Sequence, residues 1–293
     1  MTDTAKRAPR ATPIYLDMDR AALDAAYNNS AAVTDSSEWL AEWRARSGTS
    51  RAMSGAQLDV PYGDGERARF DYFPCGQRGA PLFVFIHGGY WQRNAKEIFS
   101  FISEGPRARG IDVAVLGYTL APAARLSGIV EEVREAIAFL GAQAPRFGYD
   151  PDRIYVGGWS AGGHLAAVAS GWPSVRGALV ISGIFDLEPI ALTYINDPLQ
   201  LDRHEIENFS PLRLLRRGAS PQCLSVGGNE LSELQRQSSA YAEAAEKLGL
   251  PVTLRILPGH HHFSILDELG KADGELTVAL SRLTHDRNIS RMK

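Results

Sequence analysis

The chain has 293 residues, of which 44% are hydrophobic and 22% charged, enough apolar material for a sizeable buried core. A formal net charge of -3 gives no electrostatic basis for binding nucleic acid or an anionic membrane. Its two cysteines, Cys75 and Cys223, are too few for a disulfide framework and read as reduced thiols of a cytoplasmic protein.

The opening stretch MTDTAKRAPRATPIY lacks the apolar run of a secretory signal, which also points to the cytoplasm. Residues 1–60 then read as a polar helical arm, carried by DRAALDAAY and SSEWLAEWRARS. From Pro61 the texture changes to strand–turn–helix alternation, so residues 61–293 form one catalytic-sized domain. Strands are predicted over 68–73, 82–86, 112–116, 154–156, 178–181, 223–226 and 252–257. Helices are predicted over 95–109, 126–144, 161–170, 232–248 and 264–283. Apolar strands separated by helices imply a mostly parallel sheet covered on both faces, an α/β architecture. The longest apolar stretch, near 82–86, is far too short to cross a membrane. Residues 185–215, with Pro189, Pro198 and Pro211, break the rhythm and read as an insertion. Together with the N-terminal arm it is expected to roof the site. Trimming residues 1–30 should then change activity more than melting temperature.

Gly158-Trp159-Ser160-Ala161-Gly162 fits G-x-S-x-G between a strand and a helix. Small residues two before and two after the serine relieve the crowding of a strained turn that exposes Oγ at a helix N-terminus. Glycine- and serine-rich turns are common, so the motif gains weight only with its partners. One partner is the loop after the strand at 82–86, His87-Gly88-Gly89-Tyr90-Trp91, whose glycines can bring backbone N–H groups close to a substrate oxygen. Oxyanion donors are accordingly expected from Gly88 or Gly89 and from Ala161. His87 reads as a residue that shapes this loop. Tyr90, Trp91, Trp159 and Phe263 are candidate pocket residues, although aromatics in such positions also serve as core.

In hydrolases with this elbow the acid and then the base follow the nucleophile along the chain. The base must come late, and His260-His261-His262 follows the last predicted strand. Adjacent histidines cannot all face one ion, so no metal site is expected. His262, which precedes Phe263 and the final helix, is the expected base, and His260 and His261 are expected to shape the loop. The acid should follow the strand at 223–226. Asn229 has no charge, Glu230 is the first carboxylate, and Glu233 falls on the helix, where it reads as solvated. Glu230 is therefore the expected acid, its competing role being to complement the helix dipole.

With these residues in place the chain resembles the kynurenine formamidase (arylformamidase) branch of the α/β hydrolases, related to hormone-sensitive-lipase-type esterases. The resemblance lies in HGGYWQ at 87–92, GWSAGGH at 158–164, SGIFDLEPI at 182–190, the later Asn196 and Ser210-Pro211, the run 233–238 and His262-Phe263. Counting back from Arg236-Gln237-Ser238 puts the family acid on Glu230. Glutamate stands where aspartate is often seen, and Leu234 where an aromatic is common. The resemblance implies the α/β-hydrolase fold and hydrolysis of an aryl formamide such as N-formylkynurenine, without metal or organic cofactor. A carboxylesterase for small acyl esters is the alternative, since the same triad serves both. A non-catalytic scaffold would be expected to lack a triad member, and all three positions are filled. The expected partner is a small-molecule substrate, with neither nucleic acid nor membrane, and a homodimer is compatible with the reading. Tyr90-Trp91 should narrow the acyl side, favouring formyl over longer acyl groups.

Overall fold

The computed structural model describes residues 12–285; the first eleven residues of the N-terminal arm, with most of the stretch read for a signal, lie outside the described residues. Eight strands form one sheet: β1 (Gln57–Pro61), β2 (Arg69–Phe73), β3 (Leu82–Ile86), β4 (Asp112–Leu116), β5 (Ile154–Trp159), β6 (Ala178–Ile181), β7 (Gln222–Gly227) and β8 (Val252–Leu257). Their order is β1-β2-β4-β3-β5-β6-β7-β8, with β2 antiparallel to β1 and β4 and the other pairs parallel. This is the α/β-hydrolase fold.

The residues of β3 and β4 are all buried, as expected for strands with helices on both faces. Side-chain alternation sorts them: Leu82, Val84 and Ile86 join one core cluster, Phe83 and Phe85 the other. The helix Leu126–Phe147 covers the first cluster with Ile129, Val133, Ile137 and Leu140, a helical spacing. It ends at Gly148, whose left-handed backbone sends its N–H to the Ala144 carbonyl.

Three elements differ from the sequence reading. The strand β1 lies within what reads as arm and linker; as an edge strand it buries only Val60, so no apolar pattern announces it. The helix expected over 95–109 is two 3-10 turns followed by the short helix Glu104–Ala108, where Pro106 is tolerated because it sits in the first turn. The helix expected over 264–283 is broken. A 3-10 turn (Ser264–Leu266) and a single turn (Asp267–Gly270) precede Glu275–His285, and the Glu268 carboxylate accepts from the Glu275 N–H at 3.0 Å to start the final helix. Among the described residues no helix is long and apolar enough to cross a membrane.

Sheet order decides where the chemistry collects. The neighbouring strands β3, β5, β6, β7 and β8 all run the same way, so the segments after their carboxyl ends share one edge of the sheet. Those segments hold Gly88-Gly89, Ser160, Ser182, Glu230 and His262 in turn.

Candidate active site

Ser160 links β5 to the helix Ala161–Ala169 with φ +59° and ψ -119°, a conformation that L side chains rarely adopt. The close approach beneath it explains the motif. A Cβ on Gly162 would lie 2.0 Å from the Ile86 carbonyl oxygen, so no side chain is admitted. The helix N-terminus behind Ser160 leaves first-turn amides, Ala161 among them, without intrahelical acceptors.

The loop after β3 is pressed against this elbow. A Cβ on Gly88 would meet the Trp159 carbonyl oxygen at 2.6 Å and the Ser160 Cβ at 3.0 Å. Gly89 follows with φ +119°, and Tyr90, Trp91 and Asn94 are all left-handed. The turn is closed by the Gly89 carbonyl, which accepts from the Gln92 and Arg93 N–H groups at 3.0 Å each. His87 is fully buried, stacked on Tyr118 with ring centroids 4.4 Å apart. Its Nδ1 bonds the Gly88 carbonyl at 2.9 Å, and burial holds its pKa down at about 4, so it is a neutral prop for the loop.

Glu230 and His262 form a buried pair, with His262 Nδ1 2.7 Å from Glu230 Oε2. The other carboxylate oxygen accepts from the Gly227 N–H at 2.7 Å and from the Ser182 hydroxyl at 2.5 Å. Both oxygens are thereby satisfied, as a buried carboxylate requires. A proton on Nδ1 donated to Glu230 leaves Nε2 free to accept one. The His262 ring lies over Trp159, centroids 4.7 Å apart, and its carbonyl accepts from the Trp159 indole N–H at 2.7 Å. Ser182, itself left-handed at φ +50°, is the site residue whose contact the sequence did not announce.

Ser160 and His262 open into one cavity of about 490 Å³, mouth included, which Gly89, Tyr90, Trp159 and Phe263 also line. The N-terminal arm supplies Asn29, Ser30 and Leu40 to it, and Arg93 and Asn94 complete its rim. Trp91 is elsewhere. It is fully buried, edge-on to His164 with centroids 4.9 Å apart, and does not line the cavity. The 185–215 insertion supplies none of the described lining; its Asn208, Phe209 and Pro211 line a second cleft instead.

Glu233 is not solvated. It is buried, accepting from the Tyr27 hydroxyl at 3.1 Å and from Arg236 at 2.7 and 2.8 Å. A turn further along, Gln237 donates to the Tyr27 hydroxyl at 2.7 Å and accepts from the Phe185 and Asp186 N–H groups. The helix Ser232–Lys247 thus clamps the arm and the start of the insertion together. His261 accepts from the Phe263 and Ser264 N–H groups at 3.2 Å each, shaping the turn that presents His262. His260 approaches the Ser264 hydroxyl at 3.4 Å.

Known proteins give this arrangement its context. The BD-FAE family model matches residues 72–174, which include the glycine loop and the elbow. A candidate thioesterase from Silicibacter sp. TM1040 has the same fold, with a TM-score of 0.80 and 29% identity over 87% of this chain and 97% of its own. The kynurenine formamidase of Salmo salar is 35% identical over 81% of this chain and 86% of its own length. That of Danio rerio is 34% identical over the same shares. With this identity running over most of both chains, well beyond the elbow and its glycine loop, the chain belongs to the kynurenine formamidase family of α/β hydrolases.

Proposed function

We propose that this protein is a serine hydrolase that cleaves an aryl formamide, such as N-formylkynurenine, to an aromatic amine and formate. The observation that carries the reading is the buried Glu230–His262 pair opening into the same cavity as Ser160 on its strained turn. The formamide preference is supported by the activity for which the salmon and zebrafish relatives are named.

In this mechanism His262 Nε2 takes the hydroxyl proton as Ser160 Oγ attacks the formyl carbon. Glu230 holds the imidazole tautomer and stabilises the imidazolium that results. Negative charge gathers on the carbonyl oxygen, where the N–H groups of Gly88 or Gly89 and of Ala161 would receive it. Gly89 is the glycine of that loop that lines the cavity, which favours it as donor. The imidazolium then gives its proton to the departing nitrogen, and the C–N bond breaks to leave formyl-serine. An arylamine leaves more readily than an alkylamine because its nitrogen conjugates with the ring. Water, deprotonated by His262, releases formate and restores the serine.

The arm, through Asn29, Ser30 and Leu40, serves as the roof over this chemistry. Of the Tyr90-Trp91 pair expected to narrow the acyl side only Tyr90 lines the cavity, and this reading keeps a preference for formyl over longer acyl groups. A carboxylesterase is the second reading, favoured by the thioesterase assignment of the Silicibacter neighbour and by a triad that serves esters equally. Comparing kcat/KM for N-formyl, N-acetyl and N-butyryl derivatives of one aromatic amine, beside matched esters, tests both. Turnover highest for formyl is expected, and a rise with acyl length or activity confined to esters would overturn the formamidase reading. Ser160→Ala is expected to abolish labelling by an organophosphate and to lower turnover by several orders of magnitude.

A further inference from the structure

Three successive carbonyls of the loop after β3 are tied down. The His87 carbonyl accepts from the Tyr118 hydroxyl at 2.9 Å, and the Gly89 carbonyl accepts from the Gln92 and Arg93 N–H groups. Between them the Gly88 carbonyl takes two side-chain donors, His87 Nδ1 at 2.9 Å and the Asn94 amide at 3.2 Å. A carbonyl oxygen can only accept, so the Asn94 amide must turn its nitrogen toward it. The N–H groups of Gly88 and Gly89, by contrast, donate to no backbone carbonyl among the described residues.

Among the described residues the one cis peptide is Ala121-Pro122, so the Gly88–Gly89 unit is trans. In a planar trans unit the carbonyl and the following N–H point in opposite directions. Whatever holds the Gly88 carbonyl therefore also aims the Gly89 N–H. Two glycines in a row have little side-chain restraint of their own, so this unit depends on an outside anchor. His87 is its chain neighbour and moves with it; Asn94 is held from elsewhere. The Asn94 backbone is left-handed at φ +74°, which asparagine tolerates better than most side chains. Its carbonyl accepts from Arg67 Nη2 at 2.7 Å, and Arg67 Nε donates to the Tyr118 carbonyl at 2.8 Å. A Cβ on Gly89 would lie 2.9 Å from Asn94 Nδ2, so the amide packs into the space that the glycine leaves. Gly89 and Asn94 both line the cavity that holds Ser160.

We infer that Asn94 is a positioning residue for the oxyanion site: by holding the Gly88 carbonyl it fixes the direction of the Gly89 N–H. It touches neither substrate nor the reacting atoms in this role and acts through one peptide plane. Loss of its amide lets that plane rotate, and the donor then meets the developing charge at a poorer angle. This inference rests on the serine-hydrolase reading of the site and is independent of the formamide preference.

The test needs no formamide. When Ser160 Oγ attacks the phosphorus of an organophosphate and displaces its leaving group, the phosphoryl oxygen takes the oxyanion's place. The thiono analogue of the same reagent offers sulfur there, a weak acceptor. The ratio of the two labelling rates at Ser160 therefore reads the hydrogen-bond donors, and the intrinsic reactivity of each reagent cancels between variants. Asn94→Gly keeps the left-handed backbone and removes the amide. Its oxygen-to-sulfur ratio is expected to fall about 10- to 100-fold below wild type, short of the about 10²- to 10³-fold cost of deleting a donor outright. Asn94→Asp, the same shape but unable to donate, should lower the ratio likewise, and it decides the matter if the glycine variant does not fold. A ratio that stays at the wild-type value, even where both rates fall together, overturns the inference. Wild-type protein that is labelled at Ser160 but hydrolyses no formamide defeats the formamidase reading alone, and the ratio still decides Asn94. Wild-type protein that is not labelled at Ser160 overturns the serine-hydrolase reading and this inference with it.

Discussion

The Tyr90 hydroxyl donates to the Tyr27 carbonyl at 2.5 Å, bonding the glycine loop at the candidate oxyanion site to the N-terminal arm. The two residues are 63 positions apart, yet each is buried and each touches the same wall of the cavity through Asn29. Tyr90→Phe removes this bond and leaves the Asn29 amide without its acceptor. The expected loss is about 1–3 kcal/mol of stability, the cost of stranding a buried polar group, together with lower kcat/KM. Chemical denaturation and steady-state kinetics on one preparation check it; unchanged values for both would mean that the arm and loop are not mechanically linked.

Glu230, in the loop after β7, and Glu233, in the first turn of the following helix, are close in sequence, and their partners separate their roles. Glu230 holds His262, so Glu230→Gln should lower turnover by up to about 10⁴-fold through loss of the imidazolium's counter-charge. Glu233 holds Tyr27 and Arg236, so Glu233→Gln should cost about 1–3 kcal/mol of stability while turnover stays within about tenfold of wild type. A Glu233 variant slower than the Glu230 variant would reverse the assignment.

The arm behaves as core as well as roof. Leu23, Tyr27 and Trp43 are fully buried, and Trp43 packs edge-on to Trp159 with centroids 5.5 Å apart. Removal of residues 1–30 is therefore expected to lower the melting temperature substantially, contrary to what the polar composition of the arm suggests. A single Leu23→Ala substitution should cost about 2–5 kcal/mol, the range for emptying a buried leucine site. Thermal unfolding of that variant measures it, and a Tm matching wild type would mean that the arm is only loosely docked.

Stability should decline on the acid side for a defined reason. Burial pushes His87 and His164 down to about 4 from an ordinary value of 6.5. His164 bonds the Phe209 carbonyl through Nε2, and in each ring the other nitrogen is buried without a partner. Between 6.5 and 4 the unfolded chain takes up protons that the folded chain refuses, so stability is complete above that window and falls as pH drops through it. Each histidine contributes up to about 3 kcal/mol of that loss. Denaturant midpoints at about pH 7.5 and about pH 5 should differ accordingly, and His164→Gln should flatten the slope. An equal midpoint at both would show that neither histidine stays neutral in the folded state.

What could be read along the chain was local in the chain. The strand–turn–helix rhythm, the G-x-S-x-G turn, the paired glycines and the ordered Ser160, Glu230 and His262 each depend on neighbours a few residues away. Steric relief, apolar periodicity and charge announce such features directly. Tertiary structure alone decided the rest. Glu233 looks solvated on its helix until Tyr27, 206 positions away, covers it. Trp91 adjoins the glycine loop, but the left-handed turn places it against His164, away from the cavity. Asn29, Ser30 and Leu40 carry no motif and line the cavity only because the arm folds over the sheet edge. Ser182 reaches Glu230 because β6 and β7 are neighbours in the sheet, an adjacency fixed by packing both faces of the sheet at once.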